Sequence, residues 1–297
     1  MSLGYSFKFL PQRIRSHDSE LTRLRIYIRQ GWQRLTEAPN VPAWFQNGFH
    51  KTFLRPFLKR HFHAVAVERA SQSDLCIEDG EPLVIYANHP SWWDPLIAHF
   101  LNRSLFPNRQ FYAPIDAAAL KQYRVFAKLG FYGVEMQTNS GAAAFLKQSV
   151  GILQSDSTAL WMTPEGRFAD VRDHSAELMP GLAHLCSRMT SGVALPVAIE
   201  YVFWEERLPV CLVRLGVPTQ IADHSELTKS QWSELLDLRL RESQARLEEL
   251  AIARCSEPFD NLMKGKTGAG GFYDSFRRAK AFVTRKPFQS QHGRQFQ

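Results

Sequence analysis

His89 and Asp94 stand five residues apart in the segment LVIYANHPSWWDPLI, residues 83–97. An imidazole and a carboxylate at that distance suit one task well. The carboxylate fixes the ring tautomer and steadies the imidazolium, while the free ring nitrogen takes a proton from a hydroxyl. The apolar run before them reads as a buried strand ending at Ala87. This puts His89 at the carboxyl end of a strand, where open α/β sheets bind their ligands, and Asp94 near the start of the next helix. A His and an Asp so spaced also occur as an incidental ring and a helix cap, so the pair gains meaning only from its surroundings. No further ligands cluster near enough to suggest a metal.

A second segment, ALWMTPEGRF at 159–168, repeats the design. An apolar strand ends in Thr163-Pro164-Glu165-Gly166-Arg167. Gly166 permits a tight turn. Glu165 and Arg167 then project from the same sheet edge as His89, and an arginine there can take phosphate or carboxylate in a two-pronged grip. The simpler expectation for such a turn is a surface ion pair.

The elements that must hold these residues are legible as an alternation. Strand-like runs fall at 64–68, 83–87, 110–114, 131–135, 159–163, 194–201 and 209–215, with helical stretches between many of them. Ser140 is the expected N-cap of a helix over 141–154, and another helix is expected over 180–190. Residues 229–254 read as a long charged helix laced with i,i+4 pairs. The predicted fold is α/β: a single domain with a largely parallel central sheet covered by helices, preceded by N-terminal amphipathic helices. The boundaries are basic amphipathic helices over 1–63, the sheet domain over 64–255 and a basic tail over 256–297.

The ends carry the charge. Net charge is +7, yet residues 1–70 hold 12 Lys/Arg against 4 Asp/Glu and residues 264–297 hold 8 against 1, so the middle is acidic. Helices are expected over 20–35 and 43–63. In the second, Phe45, Phe49 and Phe53 recur every fourth residue, Lys51, Arg55, Lys59 and Arg60 occupy other positions, and Pro56 should kink it. Such a helix suits an anionic membrane interface, and equally a helix packed on the core with a solvated basic face. No run approaches the roughly 20 apolar residues of a spanning helix. Nucleic acid is disfavoured as a partner, since the basic ends contain no recognised binding module. Cysteines at 76, 186, 211 and 255 form no zinc or redox pair, and no signal peptide is evident, so reduced thiols and a cytoplasmic protein bound to the inner face of a membrane are expected.

Taken together, these segments resemble the glycerophospholipid acyltransferase family, which includes the 1-acylglycerol-3-phosphate acyltransferases. Its His-x4-Asp motif corresponds to Asn88-His89-Pro90-Ser91-Trp92-Trp93-Asp94. Its Pro-Glu-Gly-Thr-Arg motif corresponds to Pro164-Glu165-Gly166-Arg167, without the Thr. Leu195-Pro196-Val197 matches an apolar strand with a central proline, and Gly216-Val217-Pro218 the Gly-x-Pro that often closes the next strand. The match runs over about 83–218.

The resemblance implies an O-acyltransferase that takes a fatty acyl chain from acyl-CoA or acyl carrier protein as co-substrate, with no cofactor or metal, and delivers it to a lipid hydroxyl. It makes His89 and Asp94 catalytic and assigns Asn88, Ser91, Trp92, Glu165, Gly166 and Arg167 to substrate binding. Trp92 and Trp93 would line the acyl passage or pack in the core, Glu165 would shape its turn, and backbone N–H groups after the strand, with Arg167, would stabilise the oxyanion. The competing expectation is a lipid-binding scaffold without activity. Two departures bear on the acceptor. Met136 stands where the family has a phosphate-gripping Arg, and Met179-Pro180 replaces a basic position before Gly181. A simple glycerol phosphate is therefore not the expected acceptor.

Overall fold

The computed structural model describes residues 41–265, except 74, 76, 79, 137, 156 and 176, together with Phe296. The helix expected over 20–35 and, apart from 256–265 and Phe296, the basic tail lie outside these residues.

The chain enters through α1 (Ala43–Phe49), passes a π-helical turn (His50–Leu54) and continues as α2 (Arg55–His61). The irregularity expected at Pro56 thus takes the form of a wide turn just before it, in which the Arg55 N–H reaches the His50 carbonyl. A proline ring crowds the carbonyl four residues back and offers no N–H, and a π-turn accommodates both. Leu54 and Leu58 are fully buried, whereas Lys51, Arg55, Lys59 and Arg60 are exposed, as are Trp44 and Phe53. The helix packs on the core and also presents a basic, aromatic outer face.

The remaining elements run β1 (Ala64–Glu68), α3 (Arg69–Ser73), β2 (Leu83–Ala87), α4 (Asp94–Leu105), β3 (Gln110–Asp116), α5 (Ala117–Gln122), β4 (Phe131–Val134), α6 (Asn139–Leu153), β5 (Thr158–Met162), α7 (Gly181–Cys186), β6 (Val193–Val202), β7 (Val210–Leu215), β8 (Thr219–Gln220), α8 (Lys229–Ala253) and β9 (Phe259–Lys264). The strands form one sheet in the order β4-β3-β5-β2-β6-β7-β1-β9, with β8 also on β6. From β4 to β6 every pairing is parallel, while β7 runs antiparallel to β6. The mostly parallel α/β sheet read from the sequence is the observed one.

Three local expectations change. Thr138, not Ser140, caps α6, accepting the Gly141 N–H at 2.9 Å. The helix expected over 180–190 is only Gly181–Cys186, because the Arg188 and Met189 N–H groups turn to carbonyls three residues back. Strand β9 begins past 255, where a tail was expected. It pairs antiparallel with β1 as a mixed polar edge strand, so it lacks the apolar run that betrays a central one.

Burial on both faces explains the near-continuous apolar character of β2. Leu83, Ile85 and Ala87 join a core cluster with Leu54, Leu58, Ile97 and Leu101; Val84 and Tyr86 join another with Ile152, Leu182, Trp232 and Leu236. Helix α4, which follows β2, belongs to the first layer, and α7, which follows the neighbouring β5, belongs to the second. The connections from two adjacent parallel strands therefore part to opposite faces. That divergence opens a crevice at the carboxyl edge, the place where such sheets bind ligands.

Candidate active site

His89 leaves β2 at this crevice and Asp94 opens α4. Their link is short: His89 Nδ1 lies 2.6 Å from Asp94 Oδ2. With its proton on Nδ1 the ring donates to the carboxylate, which leaves the Nε2 lone pair to act as base. The Asp94 side chain is 2% exposed and that of His89 18%, so the carboxylate is enclosed while the ring retains an open side. The same Oδ2 accepts the Ser91 N–H at 3.0 Å, and Oδ1 accepts the Tyr201 hydroxyl at 2.6 Å. Burial, then the Cys211 thiol and the Asp94 carboxylate, push the Tyr201 phenol well above its ordinary value, so it stays a donor. Burial and Asp94 act likewise on the Cys211 thiol, which is inert for the same reason.

The loop after β5 folds over His89. Gly166 adopts φ +63°, a conformation that favours glycine, whereas the space beside it is filled only by the movable Met179 side chain. The Met179 N–H returns to the Pro164 carbonyl at 2.7 Å, and the Ala169 N–H reaches the His89 carbonyl at 3.1 Å. Phe168, 58% exposed, sets its ring 4.5 Å from that of His89. Trp92 is equally exposed and stacks on Trp93 at 4.2 Å, which in turn contacts Phe57 and His61 of α2. Trp92 is thus the tryptophan facing outward, and Trp93 the one packed against the core cluster.

Several residues assigned to substrate take other roles. Asn88 is buried, and its side-chain amide exchanges two hydrogen bonds with the Ile199 backbone, at 2.8 and 3.0 Å. It holds β2 to β6. The Glu165 side chain is 1% exposed and is used at both oxygens: one accepts the His89 N–H at 2.9 Å, the other meets Arg241 of α8 at 2.9 Å. It anchors His89 from behind instead of contacting substrate. Gly166 contributes backbone shape alone. Ser91 accepts the Trp93 N–H at 3.3 Å and donates its own to Asp94, which makes it part of the turn. Arg167 is largely exposed and pairs with Asp173 at 3.3 Å. Of the N–H groups after the strand, those of His89, Ser91, Trp93 and Asp94 have internal partners.

Tyr201 and Arg241 were not singled out by the sequence. Tyr201 sits at the end of an ordinary apolar strand, and Arg241 is one of several arginines in a charged helix, where Arg239–Glu242 and Arg246–Glu249 form surface pairs. Only the tertiary fold separates Arg241 from them.

Residues 61–200 match the family model described as Acyltransferase. This stretch is a glycerophospholipid acyltransferase-family domain. The match spans β1 to β6 and so contains both the His89–Asp94 pair and the Glu165 turn. No curated protein matches the chain significantly. The family places this acyltransferase domain in acyl transfer within lipid metabolism. Among the described residues no helix is long and apolar enough to cross a membrane, and no group of three or more His, Cys, Asp or Glu side chains could hold a metal ion.

Proposed function

We propose that the protein is a peripheral membrane O-acyltransferase that moves a fatty acyl chain from acyl-CoA or acyl carrier protein to the hydroxyl of a lipid acceptor other than a simple glycerol phosphate. The observation that carries the reading is the 2.6 Å His89–Asp94 contact, enclosed on the Asp94 side and open on the His89 side, at the crevice of an acyltransferase domain. His89 Nε2 removes the acceptor hydroxyl's proton as the oxygen attacks the thioester carbonyl. The tetrahedral intermediate then expels the thiolate, which recovers the proton from the imidazolium. Asp94 orients the ring throughout.

The acceptor reading rests on the carboxyl edge of the sheet. Trp92, Phe168, Met136 and Met179 are exposed apolar side chains on segments leaving β2, β4 and β5, and the last two occupy the family's cationic positions. A phosphomonoester leaving water without those cations forfeits charged hydrogen bonds worth about 1.5–3 kcal/mol each. A neutral or zwitterionic lipid alcohol is expected to exceed lysophosphatidate in kcat/KM by about tenfold or more. A panel of acceptors offered with one acyl thioester measures this; lysophosphatidate ranking first by tenfold would refute the assignment.

Membrane attachment at the inner leaflet is the remaining part of the proposal. Its support is the outer face of α1 and α2, where Trp44 and Phe53 stand exposed among Lys51, Arg55, Lys59 and Arg60. Basic side chains near an anionic surface contribute about 1 kcal/mol each, and inserted aromatics add their apolar burial. Replacing Trp44 and Phe53 with Ser spares the buried Leu54 and Leu58. It should lower partitioning onto anionic vesicles by about tenfold per residue while the melting temperature holds. Unchanged co-sedimentation would make this face a solvated one.

A further inference from the structure

We propose that Tyr201 is a positioning residue of the transfer reaction: its phenol holds the Asp94 carboxylate in the orientation that steers His89. The inference rests on the reading that His89 and Asp94 carry out the transfer. Asp94 is the first residue of α4, and its own helix offers the carboxylate nothing to hold: Pro95 has no N–H, and the N–H groups of Asp94, Leu96 and Ile97 go to the Ser91 and Trp93 carbonyls. The Tyr201 hydroxyl, 2.6 Å from Oδ1, supplies the missing restraint by engaging the oxygen that His89 does not use. Oδ2 is fixed by His89 Nδ1 and the Ser91 N–H, so the carboxylate is held at three points from three directions.

Strand β6 makes the arrangement coherent. Ile199 exchanges backbone hydrogen bonds with the Asn88 side chain, immediately before His89, and Tyr201 lies two residues further along the same strand. One strand therefore sets both partners, His89 through the backbone beside it and Asp94 through its carboxylate. The two contacts keep their relation because Ile199 and Tyr201 lie two residues apart on one strand that β7 pairs along its other edge. Tyr201 is itself braced by ring contact with Phe62 at 5.8 Å and by its place opposite Cys211 in the β6–β7 ladder. It is removed from the open side of His89, so its effect should fall on turnover and not on substrate capture.

Tyr201→Phe keeps the ring and its packing and deletes only the hydroxyl. With palmitoyl-CoA and a zwitterionic lysophospholipid, kcat should fall about tenfold with both KM values unchanged, the size expected for one hydrogen bond to a charged group. In an Asp94→Asn background the same change should cost less than about twofold, because the two residues act through one contact. Proton NMR supplies a readout independent of turnover. The hydrogen-bonded His89 Nδ1 proton, assigned by its loss in His89→Ala, should shift in Tyr201→Phe. An unmoved resonance, an unchanged kcat in active protein, or an equal loss in the Asp94→Asn background would each overturn the role. Wild-type protein inert with every acceptor overturns the transfer reading and this role with it, whereas active wild type beside an equally active Tyr201→Phe overturns the role alone.

Discussion

Replacing His89 with Ala should lower kcat by about 10² to 10⁴, the usual worth of a positioned general base, while the protein stays folded. The fold should survive because the ring contributes little to the core. It is partly exposed, and the backbone contacts that seat this residue, the N–H to Glu165 and the carbonyl to Ala169, do not involve the imidazole. Asp94→Asn should cost about 10² or more. An amide in that place can present its NH₂ to Nδ1 and favour the tautomer whose proton sits on Nε2, the nitrogen required as base. Steady-state kinetics on purified variants, with circular dichroism as the control for folding, decide the matter. A folded His89→Ala protein with near-normal turnover would remove the imidazole from the mechanism.

Arg241→Met is expected to destabilise the protein by about 3–5 kcal/mol, because it leaves the Glu165 carboxylate buried without its cation. Glu165 is 1% exposed at the side chain and Arg241 12%, so water cannot take over as it would for the surface pairs on the same helix. The Glu165→Gln/Arg241→Met double variant should recover part of the loss, since the uncompensated charge is then gone. Urea unfolding of the single and double variants measures both quantities. A loss below about 1 kcal/mol in the single variant would place this pair with ordinary exposed salt bridges. Turnover should fall along with stability, because Glu165 also holds the His89 N–H.

The fold was legible in the sequence where burial on two faces writes an unbroken apolar run, as in β2 and β5, and illegible where a strand lies at an edge, as in β9. The pair at the centre of the site was legible because both members lie within one strand-to-helix turn. Its supports were not. Tyr201 and Arg241 reach the site from 107 and 76 residues along the chain from their partners, and their neighbours in sequence give no sign of it. The structural partners of Asn88 and Glu165 were illegible for a related reason. A polar side chain beside a catalytic histidine has the same appearance in sequence whether it faces the ligand or the backbone of a strand far away in the chain. Here the Ile199 backbone and Arg241 claimed them.

The long reach of those supports bears on how the protein becomes competent during synthesis. The stretch that matches the family ends at residue 200, one position before Tyr201 and well before Arg241. A nascent chain exposed only that far would already contain the His89–Asp94 turn, a local structure that forms early. It would lack the phenol and the guanidinium, whose contacts require large loops to close and therefore form late. The contacts that brace the pair are thus completed only after the end of β6 and all of α8 have left the ribosome, and the family-matching stretch by itself lacks both supports.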